Sequence, residues 1–299
     1  MAKSSLRKQP TRSISLPSRL QHPNANKIEK ELNRLKTLEV SSLSTEKSLE
    51  NSLVSLAQLY NSVQELLQSS TTQKGIVQHQ NGIILEEALE ESIELLDSCG
   101  NIKNLFNMIK EHVQDLQSAM RRKSGCSSIE GDIASYISFR KKLKTDIAKN
   151  LKALKHMENK TGQLLYLDLD HHLYMVIRVL TEVTSFTISL FRSALLFLSW
   201  PDTKTKFNGW YFVSKLMSIK SVDADKVHAV RSAGCLDIIA LTKLQQQFCG
   251  KNDAKGAMQE AQRKLQMFDD IITNLDNPLE CLFRQLVQYR VTLLNIITQ

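Results

Sequence analysis

Chain breakers are almost absent from the body of this sequence, and that scarcity constrains its fold more than any other feature. Only 10 glycines and 5 prolines occur in 299 residues, and Pro10, Pro17 and Pro23 all fall within the first 23. Residues 24–200 contain no proline. An architecture of many short strands needs frequent Gly- and Pro-marked turns, whereas long helices need their absence. With 42% hydrophobic residues the chain has the apolar surface to close a core, so the composition predicts an all-α fold.

Apolar spacing predicts where the helices lie. Ile28, Leu32 and Leu35, then Leu49, Leu53, Leu56, Tyr60, Val63 and Leu67, recur at steps of three and four. That places them on one stripe of one or two helices reaching about residue 68, with the Ser-rich stretch 41–48 as a candidate break. A helix from Ile83 to Leu96 carries Glu86, Glu87, Glu90, Glu91 and Glu94 on an acidic outer face, with Gly100 as its expected stop. Ile102, Leu105, Ile109, Val113, Leu116 and Met120 then form the most regular seam in the chain, the mark of a helix packed against partners. Arg121 to Gly125 reads as a cationic last turn and glycine stop, and Ser127 with Glu130 as a capping box.

The helix that follows is basic. Ile133, Ile137, Leu143, Ile147, Leu151 and Leu154 supply its apolar face, while Arg140, Lys141, Lys142, Lys144, Lys149, Lys152 and Lys155 load the rest with positive charge. Leu173 to Leu198 forms a central apolar helix ended by Trp200-Pro201, because proline disfavours the α conformation before it. A loop runs to Gly209, and Trp210 to Met217 is a short helix or an extended piece. Asp223 caps a helix with Val227, Val230, Leu241, Leu244 and Phe248, and Asp253 opens another with Met258, Leu265, Phe268, Ile272 and Leu275. Asn277-Pro278 reads as the N-cap and first residue of a terminal helix carrying Leu282, Leu286, Leu293 and Ile296. The expected architecture is an elongated bundle of about seven long helices without strands. A disordered basic tail over residues 1–25 precedes a single bundle domain over 26–299, with a candidate subdivision near 200–210.

Charge and cysteine usage narrow the setting. Cys99, Cys126, Cys235, Cys249 and Cys281 are odd in number, scattered, and include no CxxC pair. No secretory leader is visible, so the thiols are expected to be reduced in an intracellular protein, cytoplasmic first, with nucleus, plasma-membrane periphery and plastid as alternatives. The apolar stretch from Leu173 to Trp200 is long enough to span a bilayer but contains Arg178, Glu182 and Arg192, which favours a buried core helix. The net charge of +8 is concentrated in the tail, where Lys3, Arg7, Lys8, Arg12, Arg19 and Lys27 occur without an acid. Such an arm is a solvated tail, an attachment to anionic lipid or nucleic acid, or part of a transit peptide.

The segment Arg12-Ser13-Ile14-Ser15-Leu16-Pro17-Ser18-Arg19, followed by His22-Pro23, resembles the N-terminal signature of the plant BYPASS-related family. Residues 95–100, 110–119, 182–190 and 290–296 resemble further blocks of that family in the same order, so the likeness covers nearly the whole chain. It implies a role in root and shoot development, which the best-known members exert by restraining a root-derived mobile signal. It implies no molecular activity, cofactor or catalytic residue.

Three groups of residues are candidates for chemistry. Arg12-Ser13-x-Ser15-x-Pro17 fits the arginine-minus-three, proline-plus-two pattern recognised by 14-3-3 proteins once Ser15 is phosphorylated, since a phosphoserine offers charge and acceptor oxygens to a partner's arginines. A chance match in a short Ser/Arg/Pro tail is the alternative. The basic helix, represented by Arg140, Lys141, Lys144, Lys152 and Lys155, is either a solvated face or a surface for an anionic partner. It lacks the interleaved aromatics of a nucleic-acid binder, so nucleic acid is not the expected partner. Asp168, Asp170, His171 and His172 form the one cluster with metal or acid–base character, but adjacent histidines on a helix point about 100° apart and make poor joint ligands. Phosphate-cradling loops, HExxH and GxSxG are absent. The expected function is that of a non-enzymatic regulatory or adaptor protein without a cofactor. The alternative is a peripheral membrane protein that binds anionic lipid through its basic tail and helix.

Overall fold

The computed structural model of the chain describes residues 23–42, 46–78, 82–122, 129–160, 171–199, 241, 244 and 254–298. Seven helices and no strand are found among them: α1 (Pro23–Ser42), α2 (Glu46–Gln68), α3 (Ser70–Gln78), α4 (Gly82–Arg122), α5 (Glu130–Lys160), α6 (His171–Leu198) and α7 (Ala254–Ile297). The expected all-α multi-helix bundle is therefore present. Ser127, the Trp200-Pro201 stop, the segment 210–217, the Asp223 cap and the candidate subdivision near 200–210 lie outside the described residues.

Four helices close a ring in which α7 packs on α2 and α4, and α6 packs on the same two from the opposite side. α1 lies against both α2 and α6, α5 against both α4 and α6, and α3 bridges α2 and α6. Side-chain pairings set the directions. Lys103 with Glu280 and Gln117 with Gln266 make α4 and α7 antiparallel, whereas Gln64 with Gln285 and Glu46 with Asn274 make α2 and α7 parallel. One hydrophobic core runs through the whole assembly.

This arrangement explains why α6 is apolar nearly all round. With five helices packed on it, only a narrow strip is left for polar residues. Length and composition alone would let it cross a membrane. Its three charges nevertheless sit where neighbouring helices meet them. Arg178 Nε donates to Glu182 Oε1 at 2.9 Å and Lys36 of α1 reaches Glu182 Oε2 at 3.1 Å, while Arg192 grips Glu158 of α5 at 2.5 Å. At its C-terminal end the Ser199 amide and hydroxyl both donate to the Leu196 carbonyl, at 3.1 and 2.8 Å, which satisfies one of the last backbone acceptors of the helix.

Two expected helix ends are absent. Gly100 does not stop a helix; α4 runs through it for 41 residues. Leu95, Cys99, Ile102, Leu105 and Phe106 keep the buried stripe continuous across that point, and their burial outweighs the roughly 0.5–1 kcal/mol that a mid-helix glycine costs. Asn277-Pro278 likewise opens no helix, because Pro278 lies inside α7. The ring costs about 3 kcal/mol in a helix interior, but Ile272, Leu275, Leu279 and Leu282 are all fully buried on either side of it. Losing that stripe would cost more than keeping the proline.

One helix had no apolar periodicity to announce it. α3 begins where Ser69 separates it from α2: the Ser69 hydroxyl donates to the Leu66 carbonyl at 2.9 Å and accepts from the Thr72 amide at 3.3 Å. Ser69 thus ends one helix and caps the next.

Candidate functional site

α5 carries the densest outward charge among the described helices. Its inner face buries Ile133, Tyr136, Leu143, Ile147, Leu154 and Met157 against α4 and α6. Glu130 and Asp132 in its first turn suit the positive end of the helix dipole. The backbone bond from the Ile133 amide to the Ile129 carbonyl, 3.1 Å, fixes its start.

The five cations expected to share one basic face do not all do so. Lys141, Lys152 and Lys155 are exposed and Lys144 is half-buried at the edge of the face. Arg140 is a correction: it is 2% exposed and belongs to the core. Its guanidinium lies over the Phe268 ring of α7, 5.3 Å from the centroid, beside a ring contact between His112 and Phe139 at 3.8 Å. The physical reason is helical phase. Arg140 stands seven residues from both Ile133 and Ile147 and four from Tyr136, so two full turns return it to the buried arc. That spacing was present in the sequence and was the signal that could have found it.

Lys142, another of the cations expected to load this helix, is exposed as well. Among the described residues Lys141, Lys142, Lys152 and Lys155 pair with no acid, whereas Lys149 holds Asp146 of its own helix at 3.3 Å. A bridge from this helix to the acidic stretch of α4 is made at its far end, by Lys160. Its ammonium lies 3.1 Å from Glu90 and 3.4 Å from Glu94, and the hydrogen bond it donates to Glu90 raises its pKa. Acidic and basic helices thus meet at the end of α5, in a contact in which Lys141, Lys142, Lys152 and Lys155 take no part.

Elsewhere polar side chains tie helices together. Burial pushes the Cys99 thiol of α4 up to about 12, and Glu280 of α7 is held below the usual carboxylate range by hydrogen bonds from Lys103 and Arg284. Lys103 also sits over the Phe283 ring, 4.5 Å from its centroid. His172 is half-buried and its Nε2 meets Thr72 Oγ1 at 3.0 Å, while His171 is exposed. Asp168 and Asp170 lie outside the described residues, as do Arg12, Ser13, Ser15 and Pro17. Among the described residues no group of three or more His, Cys, Asp or Glu side chains is placed to hold a metal ion.

The described residues define a helical-bundle protein in which interior polar groups serve packing and the outward chemistry is gathered on one lysine-lined helix. The chain belongs to the BYPASS-related family: the family model described as Protein BPS1 matches residues 52–296. That span takes in α2 from Ser52 through nearly all of α7, α5 included, and begins beyond the Arg12 to Arg19 block. Neither the curated proteins nor the solved structures give a match.

Proposed function

We propose that this BYPASS-related protein is a non-enzymatic regulatory adaptor, acting in the cytoplasm in the control of root and shoot development. The observation that carries the reading is the division of labour among its polar groups. Ionisable side chains at the helix junctions, such as Lys103 with Glu280 and Arg192 with Glu158, join helix to helix, whereas α5 turns Lys141, Lys142, Lys152 and Lys155 to solvent without acidic partners. A bundle built this way offers faces for partners.

The tail supplies the regulated contact. Phosphorylation of Ser15 adds roughly −1.5 to −2 charge and three acceptor oxygens in the context Arg12-Ser13-Ile14-Ser15-Leu16-Pro17, which suits an arginine-lined groove of the 14-3-3 type. Affinity purification from plant tissue, with and without phosphatase treatment, tests it together with peptides spanning residues 8–22. The phosphorylated wild-type peptide binds a 14-3-3 protein and the Ser15→Ala peptide does not. Equal binding by both would remove Ser15 from the reading.

A further inference from the structure

We propose that the outward face of α5 is a docking surface for an anionic lipid bilayer, which the helix meets lying flat. The inference deepens the adaptor reading by naming the partner of its exposed face. It stands apart from the Ser15 contact, so either can fail alone.

Three features of the face select a bilayer over other polyanions. Its exposed cations are all lysines: Lys141, Lys142, Lys149, Lys152 and Lys155 flank a line of Ser138, Thr145 and His156, all exposed. Lysine is a compact, strongly hydrated charge on a flexible stem, suited to mobile headgroups and depleted from the cores of protein interfaces. The face also has no anchor, because the aromatic residues of α5, Tyr136 and Phe139, are both buried and so is Arg140. A protein partner would need such anchors for its energetic centre, and a single-stranded nucleic acid would need them for stacking. Finally, the charges lie in a line. From Lys141 to Lys155 the helix advances about 21 Å at about 1.5 Å per residue, and Asp146 is the sole acid in that interval. A planar array of anionic headgroups can contact the whole line at once, within the screening length of about 8 Å at physiological salt.

Because the apolar face of α5 is spent on α4 and α6, none of it is free to insert. Attachment is therefore electrostatic and reversible, and it weakens as salt rises.

Co-sedimentation of the full chain with phosphatidylcholine vesicles, with and without phosphatidylserine, tests the assignment at low and high salt. Binding requires phosphatidylserine, falls with salt, and survives inorganic phosphate added at constant ionic strength. The triple variant Lys141→Glu, Lys152→Glu, Lys155→Glu loses at least about tenfold in vesicle partitioning. A triple variant of equal charge change on other exposed sites, Lys30→Glu, Lys47→Glu, Lys74→Glu, keeps most of it. Circular dichroism confirms that both remain folded, so a loss reports the surface. Equal losses in the two variants, or binding indifferent to phosphatidylserine, overturn the proposal. So does a face that binds duplex or single-stranded nucleic acid, and loses it in the α5 variant, while vesicles are ignored.

Discussion

Tyr60 Oη of α2 and Thr187 Oγ1 of α6 lie 2.9 Å apart in the centre of the bundle, and the threonine hydroxyl donates onward to the Val183 carbonyl at 2.8 Å. With its proton committed to Val183, Thr187 can only accept from Tyr60. Both residues are buried, and the Tyr60 ring sits 5.3 Å from that of Tyr289 on α7, so three of the four ring helices converge on this point. The direction of the bond decides how each partner responds to mutation. Tyr60→Phe removes a donor and leaves Thr187 bonded to Val183, so it costs about 0.5–1.5 kcal/mol. Thr187→Val orphans a buried phenol and costs about 1–3 kcal/mol. Urea unfolding of the two variants checks the order, and an equal or reversed pair of losses would show that the tyrosine accepts instead.

Adjacent cations on α5 are expected to behave in opposite ways. Arg140→Ala removes a buried side chain from the Phe268 ring and lowers stability by about 2 kcal/mol or more, through lost packing as well as lost charge. Lys141→Ala, one residue on and exposed, stays within about 0.5 kcal/mol of wild type. Thermal unfolding of both proteins under the same conditions measures the contrast.

Why the sequence concealed Arg140 but revealed its neighbours is a matter of scale. The seam from Ile102 to Met120 was legible because six apolar residues at steps of three and four repeat one statement, and all six are buried. A single charged residue inside such a pattern is overruled by its type unless its phase is counted. α3 was concealed for the opposite reason: Ser70 to Gln78 contains few apolar residues, and its helix is fixed by the Ser69 cap and by contact with α6. Gly100 and Pro278 misled because local propensity, worth about 1–3 kcal/mol, was set against a continuous buried stripe whose combined burial is larger. The pairing of Lys160 with Glu90 and Glu94 depends on the antiparallel register of α4 and α5, which no local pattern encodes.

Acid should loosen the junction of α1 with α6. Burial acts to raise the Glu182 carboxyl, but the hydrogen bonds from Arg178 and Lys36 outweigh it and its pKa falls below 4.5. A lowered folded-state value means that the unfolded chain binds the proton more readily, so this contribution is complete above 4.5 and lost as pH falls through the folded value. Because the pair is partly exposed, about 0.5 kcal/mol is at stake. Glu182→Gln lowers the unfolding free energy from urea titration at neutral pH by that amount and flattens the acid limb relative to wild type.

Alkali should act through the core. Burial raises the Cys99 thiol from 9.0 to about 12, so the unfolded chain gives up this proton first. The stability conferred by the neutral buried thiol is full below pH 9 and declines above it by about 1.4 kcal/mol per pH unit. Tyr60 and Tyr289, also raised by burial, add their own loss above pH 10. In Cys99→Ala the decline begins about one unit higher, which urea titrations between pH 8 and pH 11 resolve. The same burial makes Cys281, exposed on α7, react with a maleimide before Cys99 in the folded protein.

Helix continuity can be tested at the two positions where breakers are overridden. A Cβ added at Gly100 meets nothing within 4 Å, so Gly100→Ala introduces no clash and only restricts the unfolded chain, stabilising α4 by about 0.5–1 kcal/mol. At Pro278 the terms oppose one another. Alanine restores an amide that can donate to the Asn274 carbonyl, recovering much of the roughly 3 kcal/mol penalty, but it frees the unfolded chain by about 0.4–1 kcal/mol and trims a buried ring. The balance favours Pro278→Ala by about 1 kcal/mol, read as a higher urea midpoint with an unchanged slope. A loss of stability there would mean that packing of the buried ring exceeds the hydrogen bond it removes, and that the proline is kept for its shape.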